Sequence, residues 1–173
     1  MSASADMPYF IKPSQNLGTI DKSAAYEAAI TAIDATLYGI DDPLVKMVTI
    51  NCLLKTHLPY YYWVGFYLWK EDRLVVGPYQ GTLGCLYIDL GKGVCGTAAA
   101  TRKTQIVADV HQLELGSEHI ACDPNSSSEI VVPVLDRAHN LIGVFDVDST
   151  QKASFDTTDQ FYLEKIMQSH FTK

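Results

Sequence analysis

Three of the chain's cysteines fall between Gly84 and Asp123, in a segment that opens GCLYIDLGKGVCGTAAA and closes HIACD. Cys85 and Cys95 lie ten residues apart among glycines, and Cys122 follows His119 by three. Thiols in such settings point to reactive sulfur, because the thiolate is the nucleophile and the metal ligand. Cys95 follows Gly91-Lys92-Gly93 and opens the Ala-rich CGTAAAT stretch. That stretch predicts a short helix, whose N-terminal dipole would favour a thiolate at Cys95. Cys122 sits among His119, Asp123, Asn125 and Ser126 to Ser128, a poor setting for a core residue. Cys85 begins a strand and reads equally as a buried residue. The fourth cysteine, Cys52, lies in a helix apolar on more than one side and reads as a small buried hydrophobe.

Two other chemistries are written on the same segment. Cys85, Cys95, His119 and Cys122 form a four-ligand set of the zinc type. Structural zinc sites favour close pairs such as C-x₂-C, so the ten-residue gap argues against a metal. Gly91-x-Gly93-x-x-Gly96 matches the dinucleotide-binding pattern, but the short helix and the hairpin-like neighbours do not supply its βαβ context. Those glycines read as a device for turning the backbone.

Carboxylates and aromatics complete the reactive inventory. Asp146 and Asp148 are two apart on a strand and therefore share a face. Glu129 starts the adjacent strand, so hairpin pairing brings it beside them. Clustered acids raise one another's pKa values, leaving one as an acid while another binds a cation. Solvation at a sheet end is the competing reading. Trp63 and Tyr67, on one face of an aromatic strand, suit the wall of an apolar or cationic pocket, or simply a core.

The elements that must position these groups follow in chain order. Residues 1–20 carry Pro8 and Pro13 and read as an irregular arm; 21–173 read as a single domain. A helix starts near Asp21 or Ser23 with Tyr26, Ala29, Ile30, Ile33 and Leu37 at helical spacing and stops at Gly39. Asp41-Asp42-Pro43 starts a second helix. From Tyr60 to Trp69 the period becomes two, with Tyr61, Trp63, Gly65, Tyr67 and Trp69 on one face. Glu71-Asp72 turns into a strand from Arg73 to Val76, which Gly77-Pro78 is expected to break. Strands follow at Cys85–Leu90, Gln105–Ala108, Ile130–Leu135 and Leu141–Asp148, with a long polar loop from Asp109 to Ser128. A helix from Phe155 to Phe171 closes the chain, with Phe161, Leu163, Ile166 and Met167 inward. Helices, then hairpin-linked strands, then a helix predict an α+β domain with a mostly antiparallel sheet.

Composition narrows the function classes. A net charge of -7 and 47% hydrophobic residues exclude a basic nucleic-acid binder and a disordered chain. No signal peptide or membrane-spanning run is visible, so the expected compartment is the cytoplasm, where thiols rest reduced. Any disulfide here would then be a step in a cycle.

The strings GKGVCGTAAAT, QIVADVH, HIACD, SEIVVPV and IGVFDVDS, in this order, resemble the free methionine-(R)-sulfoxide reductases, single-domain members of the GAF fold. The aromatic YYYWVGFYL strand and GPYQG also fit, and the resemblance spans about residues 60–170. It implies a six-stranded antiparallel sheet flanked by helices, and a pocket closed by loops. It implies that Cys122 is the nucleophile, that Cys85 resolves its sulfenic acid as a disulfide, and that Cys95 is an alternative resolving thiol. Glu129, Asp146 and Asp148 would hold the substrate ammonium and polarise or protonate the sulfoxide, with Trp63 against the methyl group. No bound cofactor is implied; a thioredoxin-like dithiol would restore the enzyme, and a homodimer is compatible with the family. The seven residues QLELGSE between DVH and HIACD depart from the pattern. The competing reading is a GAF ligand-binding or redox-sensor module; a sensor needs an output domain, for which 173 residues leave no room.

Overall fold

The computed structural model describes residues 21–112 and 122–172. The 1–20 arm, His119 and most of the QLELGSE segment lie outside them. Helix α1 (Lys22–Thr36) is capped by Asp21, whose carboxylate accepts from Ala24 N. Helix α2 (Pro43–His57) is capped by Asp42 with proline in its first turn. Strands β1 (Trp63–Lys70) and β2 (Arg73–Gln80) form a hairpin through Glu71 and Asp72, both at positive φ. Then come β3 (Tyr87–Asp89), α3 (Gly93–Thr101), β4 (Gln105–Val107), β5 (Ser128–Leu135), β6 (Leu141–Ser149) and α4 (Thr157–Met167).

The sheet runs β3-β2-β1-β6-β5-β4, and each recorded pairing is antiparallel. Strand alternation splits the interior into two cores. Val64, Phe66, Val132, Phe145 and Val147 face α1, α2 and α4 through Ile33, Leu54 and Leu163. Trp63, Tyr67, Val131 and Val144 face the other way, toward α3. The aromatic strand therefore alternates as its period predicts from Trp63 onward. Tyr61, placed by that count with Trp63, packs in the helix-side core because the strand begins two residues later.

Several local expectations need correction. β2 does not break at Gly77-Pro78; it runs on to Gln80. β3 pairs only with Arg73 to Val75, so Pro78 meets no strand on that side and its missing N–H costs no ladder bond. Cys85 lies before β3, in a loop, rather than in a strand. Cys52 is exposed, not buried. Apolar residues on every side of α2 concealed which face packs: Met47, Ile50, Leu53 and Leu54 turn inward, leaving Leu44, Val48 and Cys52 outside. Phe161 is 61% exposed, while Asp159, Tyr162, Leu163, Ile166 and Met167 form the buried face of α4.

Asp159, fully buried, ties the helical layer together. Its carboxylate accepts from Tyr26 (2.9 Å), Tyr60 (2.5 Å) and Asp156 N (2.8 Å), and pairs with Lys22 at 2.5 Å. Asp159→Ala would take the buried acceptor from the Tyr26 and Tyr60 hydroxyls and one of three acceptors from the Lys22 ammonium, which keeps Ser154 O and Asp156. We expect it to lose about 3–5 kcal/mol of unfolding free energy. Urea denaturation checks this, with Asp159→Asn losing less because it retains an acceptor.

Candidate functional site

The pocket lies on the α3 side of the sheet, where register aligns the acids with the aromatics. Asp148 of β6 stands opposite Trp63 of β1 on one side and Glu129 of β5 on the other. Asp146 stands opposite Gly65 and Val131. Gly65 is what opens the hollow. A Cβ there would lie 2.3 Å from Tyr79 Cβ and 2.8 Å from the Trp63 indole. The indole lies over the bare backbone, stacked on Tyr67 (5.8 Å) and Tyr79 (5.1 Å), with Nε1 donating to Thr82 O at 3.0 Å. The cavity extends over about 620 Å³, counted to its open mouth.

Three thiols are predicted for this site, and two are joined. Cys85 and Cys122 form a disulfide with Cα atoms 5.3 Å apart. Cys122 lies at the pocket, against the Leu83-Gly84 rim. The loop carrying it is strapped down by its neighbour Asp123, which accepts from Tyr62 (3.0 Å) and from the Thr82 hydroxyl. Those bonds, the Thr82 one foremost, hold the Asp123 carboxyl below its usual range. Sequence reasoning missed Asp123, Thr82 and Ser126 as parts of the site. The first sits inside the HIACD string itself, which was the available signal; Thr82 reaches it from 41 residues away, and the partner of Ser126, Asp148, comes from β6.

Cys95 sits on the third residue of α3, inside the pocket, where the helix dipole predicts a thiolate. The observed environment reverses that. Its Sγ lies 3.9 Å from Glu129 Oε1, and burial, with Asp146 and Glu129 beside it, pushes the Cys95 thiol well up. Two buried carboxyls outweigh one short helix. The Gly91-x-Gly93-x-x-Gly96 loop is a turn: Gly91 and Gly93 have positive φ, and a Cβ on Gly96 would lie 2.4 Å from Asp89 O. With antiparallel strands around it, it makes no dinucleotide fold.

Burial dominates the acids too. It raises Glu129 and Asp146 well above the carboxylate range, reinforced at Glu129 by Asp146 and Asp148 and at Asp146 by Asp148, with hydrogen bonds from Cys95 and Glu129 opposing at Asp146. Asp148 is pushed up to about 7, by burial first, with the Ser126 hydroxyl opposing and Asp123 adding. Tyr67 is raised by burial and by Asp146, so its hydroxyl remains a donor. A ligand cation among these acids would favour their ionised forms and expel a proton. Affinity for methionine, which carries an ammonium, should therefore rise as pH is raised through about 7. Calorimetry of the reduced protein in chelator-containing buffers of different ionisation enthalpy checks this. Asp148→Asn should flatten the dependence.

A GAF domain family model matches residues 62–169. The free methionine-R-sulfoxide reductase of Escherichia coli (strain K12) is 37% identical over 148 residues, 86% of this chain and 87% of that protein. The structure of free methionine-R-sulfoxide reductase from Neisseria meningitidis, in complex with its substrate, has a TM-score of 0.79 at 36% identity, covering 91% of this chain and 92% of that one. A putative GAF sensor protein from Burkholderia vietnamiensis has a TM-score of 0.80 at 41% identity, covering 88% and 96%. Antiparallel sheet, helical layers and a pocket on one sheet face define a GAF-domain protein, here with thiols and carboxyls in the pocket. Within that class, the chain belongs to the free methionine-R-sulfoxide reductases, oxidoreductases that act on methionine sulfoxide. Among the described residues, no helix is long and apolar enough to cross a membrane.

Proposed function

We propose that the chain reduces free L-methionine-(R)-sulfoxide to methionine, with Cys122 as the attacking thiol. The observation that carries this reading is the Cys85–Cys122 disulfide beside a pocket with acids on its floor and an indole on its wall. Cys122 Sγ attacks the sulfoxide sulfur while a carboxyl of the cluster protonates the leaving oxygen. The oxygen passes to Cys122 as a sulfenic acid, the substrate sulfur is reduced, and methionine leaves. The Cys85 thiol then displaces that oxygen as water and forms the disulfide. An external dithiol of the thioredoxin type takes the disulfide back to two thiols, so no bound cofactor is needed. A cytoplasm kept reducing suits this cycle.

Glu129, Asp146 and Asp148 hold the substrate ammonium and supply the proton, and Trp63 and Tyr67 wall the side chain. Peptide-bound methionine lacks the ammonium, which explains selection of the free form. Cys95, kept protonated between two acids, is a poor resolving nucleophile, which favours Cys85 in that role. The test is turnover of the free (R) epimer with dithiothreitol or thioredoxin, with the (S) epimer and N-acetylmethionine sulfoxide as controls. Absence of turnover of the free (R) epimer sinks the proposal. It would leave the sensor reading, in which the same thiols form a disulfide without turnover.

A further inference from the structure

The floor of the pocket holds a thiol and two carboxylates in an arrangement suited to a metal ion. Cys95, Glu129 and Asp146 each offer one ligand atom, and these atoms all lie within 4.8 Å of one another. The Cys95 Sγ to Glu129 Oε1 distance is 3.9 Å. A tetrahedral zinc ion, with Zn–S near 2.3 Å and Zn–O near 2.1 Å, sets its ligand atoms roughly 3.4–3.6 Å apart. Closing this triad on an ion therefore needs small side-chain movements. All three residues are at least nine-tenths buried and stand on regular elements, α3, β5 and β6.

A second observation points to a missing ligand. Asp146 lines the pocket, is 5% exposed, and keeps its buried Oδ1 without a hydrogen-bond partner among the described residues. A buried carboxylate oxygen without a donor is costly unless something else satisfies it.

We infer that Cys95, Glu129 and Asp146 form a zinc-binding site at the floor of the pocket, occupied in competition with the substrate ammonium. One thiolate beside two carboxylates suits a borderline-soft ion such as Zn²⁺ rather than Mg²⁺ or Ca²⁺. The ion displaces to solvent the thiol proton and the protons that the two carboxyls carry, and the open pocket leaves its fourth position to water. The residues differ from the zinc set that the cysteine spacing suggests, since Cys85 and Cys122 are tied to each other. Zinc would thus inhibit without touching the attacking thiol. Only the competition rests on the reductase reading; the site itself does not.

The test uses the full chain, Cys52→Ser, in its oxidised state, so that Cys95 is the one thiol left. Titration with Co²⁺ as a spectroscopic probe should give a thiolate-to-cobalt charge-transfer band saturating at one equivalent, and Zn²⁺ should displace it. Cys95→Ser should abolish the band, and Asp146→Asn should weaken Zn²⁺ binding at least about tenfold. Absence of the band in the parent protein overturns the site, whether or not the variants fold. Retention of full Zn²⁺ affinity in folded Cys95→Ser overturns it as well. Excess methionine should remove the band from the parent protein; a band that persists overturns the competition while leaving the site standing.

Discussion

Replacing Cys122 by serine is expected to remove steady-state turnover of methionine sulfoxide by on the order of 10³-fold or more, since a hydroxyl cannot replace a thiolate as nucleophile here. The partner substitution gives a different signature. Cys85→Ser keeps the attacking thiol, so one equivalent of methionine should form per chain in a single turnover. The Cys122 sulfenic acid should then accumulate, trappable by a dimedone-type reagent and detectable by mass spectrometry. Recycling by a thioredoxin-like protein should fail. Cys95→Ser should keep both the burst and recycling, because its sulfur lies outside the disulfide and between acids. A Cys122→Ser variant with full activity would show that the attacking and resolving roles are wrongly assigned.

Removing the acids should produce the second large effect. Glu129→Gln and Asp146→Asn keep shape while deleting charge at the pocket floor. Losing one partner of a buried charge pair costs about 2–5 kcal/mol, or roughly 30- to 4,000-fold in kcat/KM. The loss should be selective. Free methionine sulfoxide should suffer most, and the already poor N-acetyl form should change little, so the ratio of the two collapses. Competition kinetics with both substrates measures that ratio directly. Equal losses on the two would argue that the acids only support the fold.

That the three acids gather could be read from alternation and the hairpin, although the register of β5 and β6 also turns on a shift between Val134 and Leu135 that no pattern announced. Asp146, Asp148 and Glu129 share a face because the strand period is two and one turn joins the strands. Trp63 was visible for the same reason. Failures came where local signals compete or partners are distant. α2 is apolar all round, so nothing in its pattern revealed that Cys52 faces outward. At Cys95 the local signal, a helix start, was real, but its decisive neighbours arrive from β5 and β6 through the fold. Asp123 looked like a loop residue until Tyr62 and Thr82 were seen to grip it. The QIVADVH-to-HIACD link, read as longer than usual, falls mostly outside the described residues.

The bond between Cys85 and Cys122 spans 37 residues of sequence. A ring of that size removes chain entropy from the unfolded state worth about 4 kcal/mol. Oxidation and reduction are therefore also a mechanical cycle. In the proposed cycle, each turnover would leave the domain tightened around a closed ring, and each encounter with reductant would relax it. Material waiting for reductant would wait in its sturdier form, while the form with the attacking thiol free is the more fragile one. On that proposed cycle, an oxidant surge that exhausts the dithiol supply would leave the idle protein in the state that best resists unfolding.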